Sequence, residues 1–368
     1  PYSSDLNGDG ISELLFANLS NGSTSVFNGG WIYWGQGTPT SPSWSAGQRA
    51  QLPTLGVHGL AVADLNGDGR PEVIFAGYRT DSTYYVDSYI YWGQAGGPYG
   101  VQYSAGARTN LPSYAASGAA VADLNGDGRP EVIMHGRNTY IYWGQAGGLY
   151  GVQYSSSART DLPAGRLAIA DLNSDGRPEL ISVSYDSSYA YVYWGQAGGP
   201  YGVQYSSGAR TDLPASYPVG VTVADLNSDG RPEVIVYGGN SYIYWGQAGG
   251  PYNVTYSTGQ RTDLPGVSVY KASVTDVNND GQRDVVLQYF HGGFARVFWG
   301  PLPTSGTVTN YWDRSYGSAH FRGMSLSDLN GDGRVDLLVS AQGTNSYAWG
   351  GGTSGRVYFH NGNNSAPY

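Results

Sequence analysis

The stretch DLNGDGRPE, residues 64–72, decides the fold of this chain because its pattern recurs. The pattern D-x-N-x-D-G-x-x-[E/D] occurs seven times, at intervals of 48 to 59 residues. A repeat at a nearly fixed interval indicates a solenoid, a propeller or an array, in which each copy is one structural unit. The copies begin at Asp5, Asp64, Asp123, Asp171, Asp225, Asp276 and Asp328.

Each motif places oxygen ligands at alternate positions around a glycine, an arrangement that suits calcium. We predict that the side chains at motif positions 1, 3, 5 and 9 and the backbone carbonyl at position 7 bind about one Ca2+ per repeat. The predicted ligands are Asp5, Asn7, Asp9, Ile11 and Glu13; Asp64, Asn66, Asp68, Arg70 and Glu72; Asp123, Asn125, Asp127, Arg129 and Glu131; Asp171, Asn173, Asp175, Arg177 and Glu179; Asp225, Asn227, Asp229, Arg231 and Glu233; Asp276, Asn278, Asp280, Gln282 and Asp284; and Asp328, Asn330, Asp332, Arg334 and Asp336.

The spacing excludes an EF-hand, whose last acid stands at position 12 and leads into a helix. Here the acid stands at position 9, and apolar, β-branched segments such as PEVIFAG (71–77) follow it. Segments such as GLAVAD (59–64) precede it, so each loop joins two strands. A third strand is predicted at YIYWGQ (89–94) and a fourth around residues 103–111.

Four strands per repeat predict an all-β fold, a seven-bladed β-propeller with one calcium loop per blade. We expect it to form a single domain over residues 1–368. Only four residues precede the first motif and nine follow Phe359, so the last blade is predicted to be about one strand short. A β-helix is disfavoured because its repeats are much shorter.

Composition excludes several classes of function. The 368 residues contain no cysteine, which excludes thiol catalysis, disulfides and zinc–thiolate sites. No cluster of basic residues favours nucleic acid, and no apolar run approaches the ~18 residues of a membrane span. The net charge is −9, but the seven motifs hold 21 of the 28 carboxylates. The acidity is therefore mainly a set of metal ligands.

The repeated motif between two strands resembles the FG-GAP/VCBS repeats of integrin-α-like β-propellers, over essentially the whole chain. A cysteine-free chain with near-identical blades is also similar to the secreted, calcium-dependent, seven-bladed lectins of mushrooms. This resemblance implies a ligand of the galactose or N-acetylgalactosamine type, with glycans of glycoproteins or cell surfaces as partners. The start at Pro1 is expected of a processed, secreted form. Sequons at Asn18, Asn21, Asn253 and Asn363 permit N-glycosylation.

A recurring segment, WGQAGG[P/L]Y, follows the third strand of four repeats. Because successive strands are antiparallel, this segment is expected on the same rim as the calcium loops. Its Gln amide can donate to and accept from sugar hydroxyls. Its Trp either stacks on a sugar or packs between blades, and packing between blades is the favoured interpretation. The candidate carbohydrate-binding residues are Trp92, Gln94, Tyr99, Trp143, Gln145, Tyr150, Trp194, Gln196, Tyr201, Trp245, Gln247 and Tyr252.

The role of the calcium ions stays open at the level of sequence. The calcium ions either only stiffen each hairpin or also offer a coordination position to sugar hydroxyls. The RT[D/N]LP segments, such as Arg159–Asp161, are interpreted as Arg–Asp clamps in the crossover between one blade and the next, on the opposite rim. The five histidines share no repeat position, so no repeated histidine site is expected.

The favoured function is a multivalent, non-catalytic lectin, because near-identical weak sites on one rigid body give avidity. A polysaccharide-active enzyme is the alternative, but a glycosidase needs a pair of carboxylates. The seven acids outside the motifs offer no unique pair, so we expect no enzyme. An adhesion or protein-binding module is the third hypothesis, with the variable loops 18–30, 78–88 and 342–355 as its surface. The sugar and the oligomeric state are not predicted.

Overall fold

A computed structural model describes residues 2–17, 29–38, 41–80, 82–163, 165–266, 268–289, 294–315, 320–327, 335–342 and 356–360. Over these residues the fold is all-β, apart from a 3-10 turn at Thr258–Gln260. The chain divides into two compact units, Pro1–Arg166 with Ala197–Gln204, and Leu167–Gln196 with Tyr205–Tyr368. Within the described ranges, no helix has the length and apolarity that a membrane crossing needs.

The strands follow the repeats. Up to residue 162 they are β1 (Tyr2–Ser4), β2 (Glu13–Phe16), β3 (Gly30–Tyr33), β4 (Gln36–Thr38), β5 (Ser41–Ser43), β6 (Arg49–Leu52), β7 (Val57–Ala63), β8 (Glu72–Gly77), β9 (Tyr85–Tyr91), β10 (Gln94–Ala95), β11 (Val101–Gln102), β12 (Arg108–Tyr114), β13 (Ala116–Ala122), β14 (Glu131–Gly136), β15 (Thr139–Tyr142), β16 (Gln145–Ala146), β17 (Val152–Gln153) and β18 (Arg159–Leu162).

The same series continues to the end of the described chain. Its strands are β19 (Arg166–Ala170), β20 (Glu179–Val183), β21 (Tyr189–Tyr193), β22 (Gln196–Ala197), β23 (Val203–Gln204), β24 (Arg210–Pro214), β25 (Pro218–Ala224), β26 (Glu233–Gly238), β27 (Ser241–Tyr244), β28 (Gln247–Ala248), β29 (Val254–Thr255), β30 (Arg261–Leu264), β31 (Val269–Thr275), β32 (Asp284–Tyr289), β33 (Phe294–Phe298), β34 (Gly306–Thr307), β35 (Trp312–Ser315), β36 (His320–Ser327), β37 (Asp336–Gln342) and β38 (Arg356–His360).

Each repeat forms one antiparallel sheet, and the acidic motif joins its first two strands. The order of strands is β7-β8-β9-β12 in the second repeat, and the same order of first, second, third and fourth strand recurs through the chain. In register, Ile74 of β8 pairs with Ala61 of β7 and with Ile90 of β9. The predicted blade pattern of four antiparallel strands is therefore confirmed.

The last sheet, β36-β37-β38, has three strands within the described residues. Residues 361–368 lie outside them, so the prediction of a last blade one strand short stays a prediction. The fifth repeat departs in the other direction, because β34 adds to β30 as a parallel fifth strand. Residues 328–334 of the seventh motif lie outside the described residues, as do the loops 18–28 and 343–355, whereas its last acid, Asp336, begins β37.

The fourth strand begins later than predicted. Residues 101–102 form a short hairpin with Gln94–Ala95, and the fourth strand starts at Arg108. The placement of the RT[D/N]LP segments in a crossover is therefore wrong, because Arg108 pairs with Tyr91 inside the sheet. The pairing is favoured by side-chain contact across the strands, since the Arg108 guanidinium lies 4.7 Å from the Tyr89 ring centroid.

The core lies between consecutive sheets of each unit. In the first unit, Ile74 and Trp92 of one repeat share a buried cluster with Val132 and Tyr142 of the next. The second strand is buried on both faces because its side chains alternate between two clusters, Val73 and Phe75 packing with the first repeat and Ile74 and Ala76 with the third. All six residues of Glu72–Gly77 are accordingly buried. Sheets stacked face to face in this way are typical of propeller blades.

Candidate functional site

Each described acidic loop is held in shape by its own carboxylates and amide. In the second repeat, Asp64 Oδ1 accepts a hydrogen bond from Gly67 N at 2.8 Å, and Asp64 Oδ2 accepts one from Gly69 N at 2.9 Å. Asn66 Oδ1 accepts from Asp68 N at 3.0 Å, and Asp68 Oδ1 accepts from Arg70 N at 2.9 Å. These nested turns bring the side chains of positions 1, 3 and 5 together on one small loop.

Glycine at position 6 is required by the backbone of this loop. Gly69 has a φ of +80°, in the left-handed region where a Cβ is unfavourable. Position 4 is also left-handed, and there Ser174, Ser228 and Asn279 adopt φ values of +58°, +60° and +59°. The D-x-N-x-D-G pattern is therefore explained by the turn alone, before the predicted ligand role is considered.

The acid at position 9 lies under the loop, fully buried. Glu72 Oε2 accepts from Leu65 N at 2.7 Å, and Oε1 accepts from Gly93 N at 3.3 Å, at the end of the third strand. This carboxylate thus ties the start of the loop to the residue after Trp92. The corresponding acids are Glu13, Glu131, Glu179, Glu233 and Asp284, each buried and bonded to the second residue of its loop.

Burial raises the pKa of Glu72 to about 7; the hydrogen bonds from Leu65 and Gly93 oppose the rise, while Asp64 and Asp68 add to it. The same causes raise the pKa to about 7 for the glutamates of four further loops, and raise the pKa of the aspartate in the sixth. Three crowded carboxylates per loop need compensating positive charge.

Part of that charge comes from the chain itself. Arg70 Nη2 lies 2.6 Å from Asp68 Oδ2, and the third, fourth and fifth repeats have the same ion pair. A divalent cation fits the remaining need, because the donors are carboxylate, amide and carbonyl oxygens. Among the described residues, no three His, Asp or Glu side chains are close enough to hold a metal by themselves. Calcium binding would therefore also need the oxygens of the Asn side chain and of the position-7 carbonyl. Calcium binding by these loops stays a prediction.

The four tryptophans of the recurring segment are interior residues. Trp92, Trp143, Trp194 and Trp245 are each 1% exposed. Trp92 Nε1 donates to Thr109 Oγ1 at 2.9 Å, which fixes the indole in its own sheet. No face of these rings is open to a sugar in this structure, so the contacts fit the packing interpretation.

A tyrosine of the next repeat covers each of three of these indoles. Tyr150 stacks on Trp92 with ring centroids 4.5 Å apart and an interplanar angle of 17°. The same arrangement joins Trp143 to Tyr201 at 4.8 Å and Trp194 to Tyr252 at 4.5 Å. Tyr99 stacks in the same way at 4.6 Å, on the Trp of the first repeat. The tyrosines are half-buried, so one side of each ring packs and the rest is accessible.

The glutamines are half-buried at the base of the short hairpins. Gln94 Nε2 donates to Gly93 O at 3.2 Å, and Gln145 and Gln247 donate to Gly144 O and Gly246 O in the same way. The fourth, Gln196, is also half-buried. The carbonyl oxygen of each amide is a hydrogen-bond acceptor.

The acidic loops and the hairpins lie side by side. In the first unit, Asn125 Nδ2 of the third loop donates to the backbone oxygen of Tyr201, in the hairpin of the fourth repeat, at 3.0 Å. Within the second repeat, the hydroxyl of Tyr103 donates to Pro71 O at 2.7 Å, next to the predicted carbonyl ligand of Arg70. The same hydrogen bond to the proline of the loop is made by Tyr154, Tyr205 and Tyr256. These tyrosines were not identified from the sequence, although each follows the tyrosine of the recurring segment by four residues.

The Arg–Asp pairs lie two residues apart on the same fourth strand, and the arginine also reaches a tyrosine of the third strand. Arg159 Nε lies 2.6 Å from Asp161 Oδ1, and its guanidinium lies 4.4 Å from the Tyr140 ring centroid. In the second repeat Asn110 replaces the aspartate and donates to Asp87 Oδ2 at 3.1 Å. The predicted pairing of Arg with Asp is present, but it lies within a strand of the sheet and not in a turn between blades.

Comparison with known proteins bears on the repeats. A family model described as FG-GAP-like repeat matches residues 5–75, 171–236 and 276–339, and one described as FG-GAP repeat matches residues 322–360. A search of curated proteins finds no match. Among solved structures, the crystal structure of the V. cholerae biofilm matrix protein Bap1 is similar at a TM-score of 0.38 and 15% identity, over 91% of this chain and 83% of that chain.

Proposed function

Because the chain belongs to the FG-GAP repeat family, as its motifs predict, we propose that it is a multivalent, non-catalytic lectin. In this proposal it is a secreted, seven-bladed β-propeller that binds glycans of glycoproteins or cell surfaces in a calcium-dependent manner. The ligand type implied by the resemblance is galactose or N-acetylgalactosamine. The family alone supports the broader statement that the chain is a binding module.

One observation carries the proposal: the loop of one repeat touches the hairpin of the next. The contact of Asn125 Nδ2 with the backbone carbonyl of Tyr201 brings the third acidic loop to a residue whose half-buried ring stacks on Trp143. A sugar presents hydroxyls on its edge and an apolar face of C–H groups, so a polar cluster next to an aromatic ring matches both. The recurrence of loop and hairpin along the chain makes such sites multivalent.

In this site, the residues at positions 1, 3 and 5, the position-7 carbonyl and the position-9 acid would hold Ca2+. When bound, Ca2+ would neutralise the loop and offer an open coordination position to vicinal hydroxyls. The tyrosine ring would pack against the sugar, and the Gln94 carbonyl oxygen would accept a hydrogen bond from a hydroxyl. The buried Trp92 would position the tyrosine from below.

A non-catalytic role is supported by the acids outside the loops. Four of these acids each form an ion pair with an arginine, which compensates the negative charge of the carboxylate. They are Asp161, Asp212, Asp263 and Asp313. Among the described residues they form no facing pair of free carboxylates of the kind that glycosidases use. Release of reducing sugar from a polysaccharide panel would contradict this part of the proposal.

The proposal is tested by glycan-array binding of the full chain in calcium and in EGTA, followed by calorimetric titration with galactose. We expect calcium-dependent binding that weakens when Tyr150 is changed to Ala and that is unchanged when the neighbouring Leu149, which is 86% exposed, is changed to Ala. No binding to neutral or acidic glycans in calcium would overturn the proposal.

A second candidate function, protein adhesion, is favoured by one exposed cluster of tyrosines. Tyr85 is 76% exposed and lies 4.6 Å from Tyr114 between ring centroids. Tyr84 lies 6.3 Å from Tyr114, and the guanidinium of Arg137 lies 4.8 Å from Tyr84. Tyrosine and arginine are the residues most often enriched at protein interfaces. Cell binding that galactose does not inhibit, and that Tyr85→Ala removes, would favour this function.

A further inference from the structure

The hairpin of the fifth repeat differs from its three counterparts at two positions. Three repeats read Gly-Val-Gln, at residues 100–102, 151–153 and 202–204, whereas the fifth reads Asn253-Val254-Thr255. The two changes together create the acceptor sequence N-x-T for N-linked glycosylation. The three other sequons of the chain lie outside the described residues.

The position of Asn253 is open to solvent. A Cβ added at Gly100, Gly151 or Gly202 would meet no atom within 4 Å. Asn253 is exposed, and its side-chain amide makes no hydrogen bond to another described residue. An acceptor amide has to be reached by an enzyme and a large oligosaccharide, and this position offers that access.

The backbone at Asn253 also suits an acceptor. Its φ is +64°, where the glycines of the other hairpins have φ values of +83° to +86°. Asn tolerates this left-handed conformation better than other non-glycine residues. The turn is closed by a hydrogen bond from Gly249 N to Asn253 O at 3.0 Å, so the side chain stands on an ordered, protruding turn.

The second change removes a side-chain hydrogen bond that the second repeat has. In the second repeat, Gln102 Nε2 donates to Ala95 O at 3.3 Å across the short hairpin. Thr255 takes the corresponding place and is exposed, and its shorter side chain gives up that bond. A left-handed Asn in place of Gly is also mildly unfavourable. Neither new side chain adds a hydrogen bond to the hairpin among the described residues, whereas the two together complete the sequon.

We propose that Asn253 carries an N-linked glycan when the chain passes through a secretory pathway that performs this modification. In the transfer, the Asn253 amide nitrogen forms a bond to the anomeric carbon of an oligosaccharide donated by a lipid pyrophosphate. The bond from that carbon to the pyrophosphate oxygen breaks, the pyrophosphate leaves with the bonding electrons, and the amide gives one proton to a base of the transferase. Thr255 supplies the hydroxyl that the transferase recognises.

The glycan also has a consequence for binding, and this consequence rests on the proposed lectin function. Tyr252 stands next to Asn253 and stacks on Trp194 at 4.5 Å. A glycan on Asn253 would cover the accessible side of Tyr252 and close this hairpin to an external sugar. The fifth repeat would then differ from the repeats whose hairpins carry glycine.

The test is mass spectrometry of the full chain secreted from a eukaryotic host, after proteolysis and treatment with peptide N-glycosidase in heavy-oxygen water. We expect the peptide that contains Asn253 to be glycosylated. The glycan should be absent from Asn253→Gly and Thr255→Gln, which restore residues that the other hairpins tolerate, and present in Thr255→Ser. An unmodified Asn253 in the secreted, folded protein would overturn the proposal, whether or not the protein binds sugar.

A gain-of-site variant tests the structural argument. The double change of Gly100 to Asn and Gln102 to Thr transplants the sequon into the second repeat, where a Cβ is equally free. We expect this variant to acquire one additional glycan. Its failure to do so, with normal secretion, would overturn the inference that the open hairpin turn defines the acceptor.

Discussion

At the scale of single residues, the acid at motif position 9 links two parts of its repeat. Glu72 accepts backbone amides from Leu65 at the start of the loop and from Gly93 after the third strand. A buried amide that loses its acceptor retains its full desolvation penalty. The acid therefore stabilises the sheet even before any cation is considered.

We predict that Glu72→Gln lowers the free energy of unfolding by about 1–3 kcal/mol, because the amide nitrogen would face one of the two backbone donors. Urea unfolding in EGTA measures this effect without calcium. Asp161→Asn is the control: its side chain is 56% exposed, and an exposed ion pair contributes about 0–1 kcal/mol. Equal stability of Glu72→Gln and the parent in EGTA would contradict the linking role.

His135 makes a second prediction at this scale, concerning pH. It lies against Gly118 of the neighbouring strand, where a Cβ would come within 2.4 Å of the imidazole. Burial, with a contribution from Arg166, lowers the pKa of His135 to about 4 from its ordinary value of 6.5. The unfolded chain therefore binds a proton more readily than the folded chain in this range.

Stability from the neutral His135 is present above about pH 6.5 and is lost as the pH falls toward 4. The loss amounts to about 2–3 kcal/mol by proton linkage. We expect His135→Val, which copies the residue found at this position in the fourth repeat, to flatten the curve of unfolding free energy against pH over this interval. A parallel curve for parent and variant would show that His135 does not titrate in this way.

At the scale of elements, the short hairpins after the third strands hold the recurring aromatic stack. Tyr150 covers the indole of Trp92, whose edge is already fixed by Thr109. An aromatic pair contributes about 0.5–1.5 kcal/mol beyond the area it buries. The hairpin is thus part of the core, although its tip is exposed.

We expect Tyr150→Ala to lower the melting temperature by several degrees, as a loss of about 1–2 kcal/mol would do, and to reduce the near-UV circular dichroism of tryptophan. Tyr150→Phe should keep both properties, because the ring stack remains. Leu149→Ala is the matched control on the same turn. An unchanged near-UV spectrum in Tyr150→Ala would mean that the stack does not order Trp92.

These elements also show where sequence reasoning ended. The second and third strands were predictable because β-branched runs such as PEVIFAG stay buried on both faces. The hairpin strands β10 and β11 were not, since two-residue strands carry no period. The first half of β9 fell in a predicted loop, because Tyr85 pairs with Tyr114 only once the fourth strand has been placed correctly. At the site, motif spacing identified the loops, but the burial of Trp92 depends on a tyrosine 58 residues later.

At the scale of the whole molecule, the charge of the chain depends on what its loops hold. Seven divalent cations would change the net charge from −9 to +5, because they would bring fourteen positive charges. We predict that native isoelectric focusing in calcium gives a band well above the sequence pI of about 4.9, and that EGTA moves the band down.

The melting temperature should fall in EGTA as well, because a ligand that binds only the folded state stabilises it. Calcium titration by calorimetry is expected to approach one ion per motif. A stoichiometry of zero, with no shift in focusing or melting, would contradict the calcium prediction. Magnesium at the same concentration is the control, since its smaller octahedral shell suits this loop less well.

Because Tyr150 of the third repeat stacks on Trp92 of the second, each packing unit spans two consecutive sequence repeats. A gene segment that encodes one motif and its sheet contains an indole that a tyrosine of the following copy covers. A tandem duplication inserts a new copy that is covered by its successor and covers its predecessor, so the array can lengthen without any new interface. The same offset favours similar sequences in all copies, because the tyrosine of each copy has to fit the indole of the copy before it.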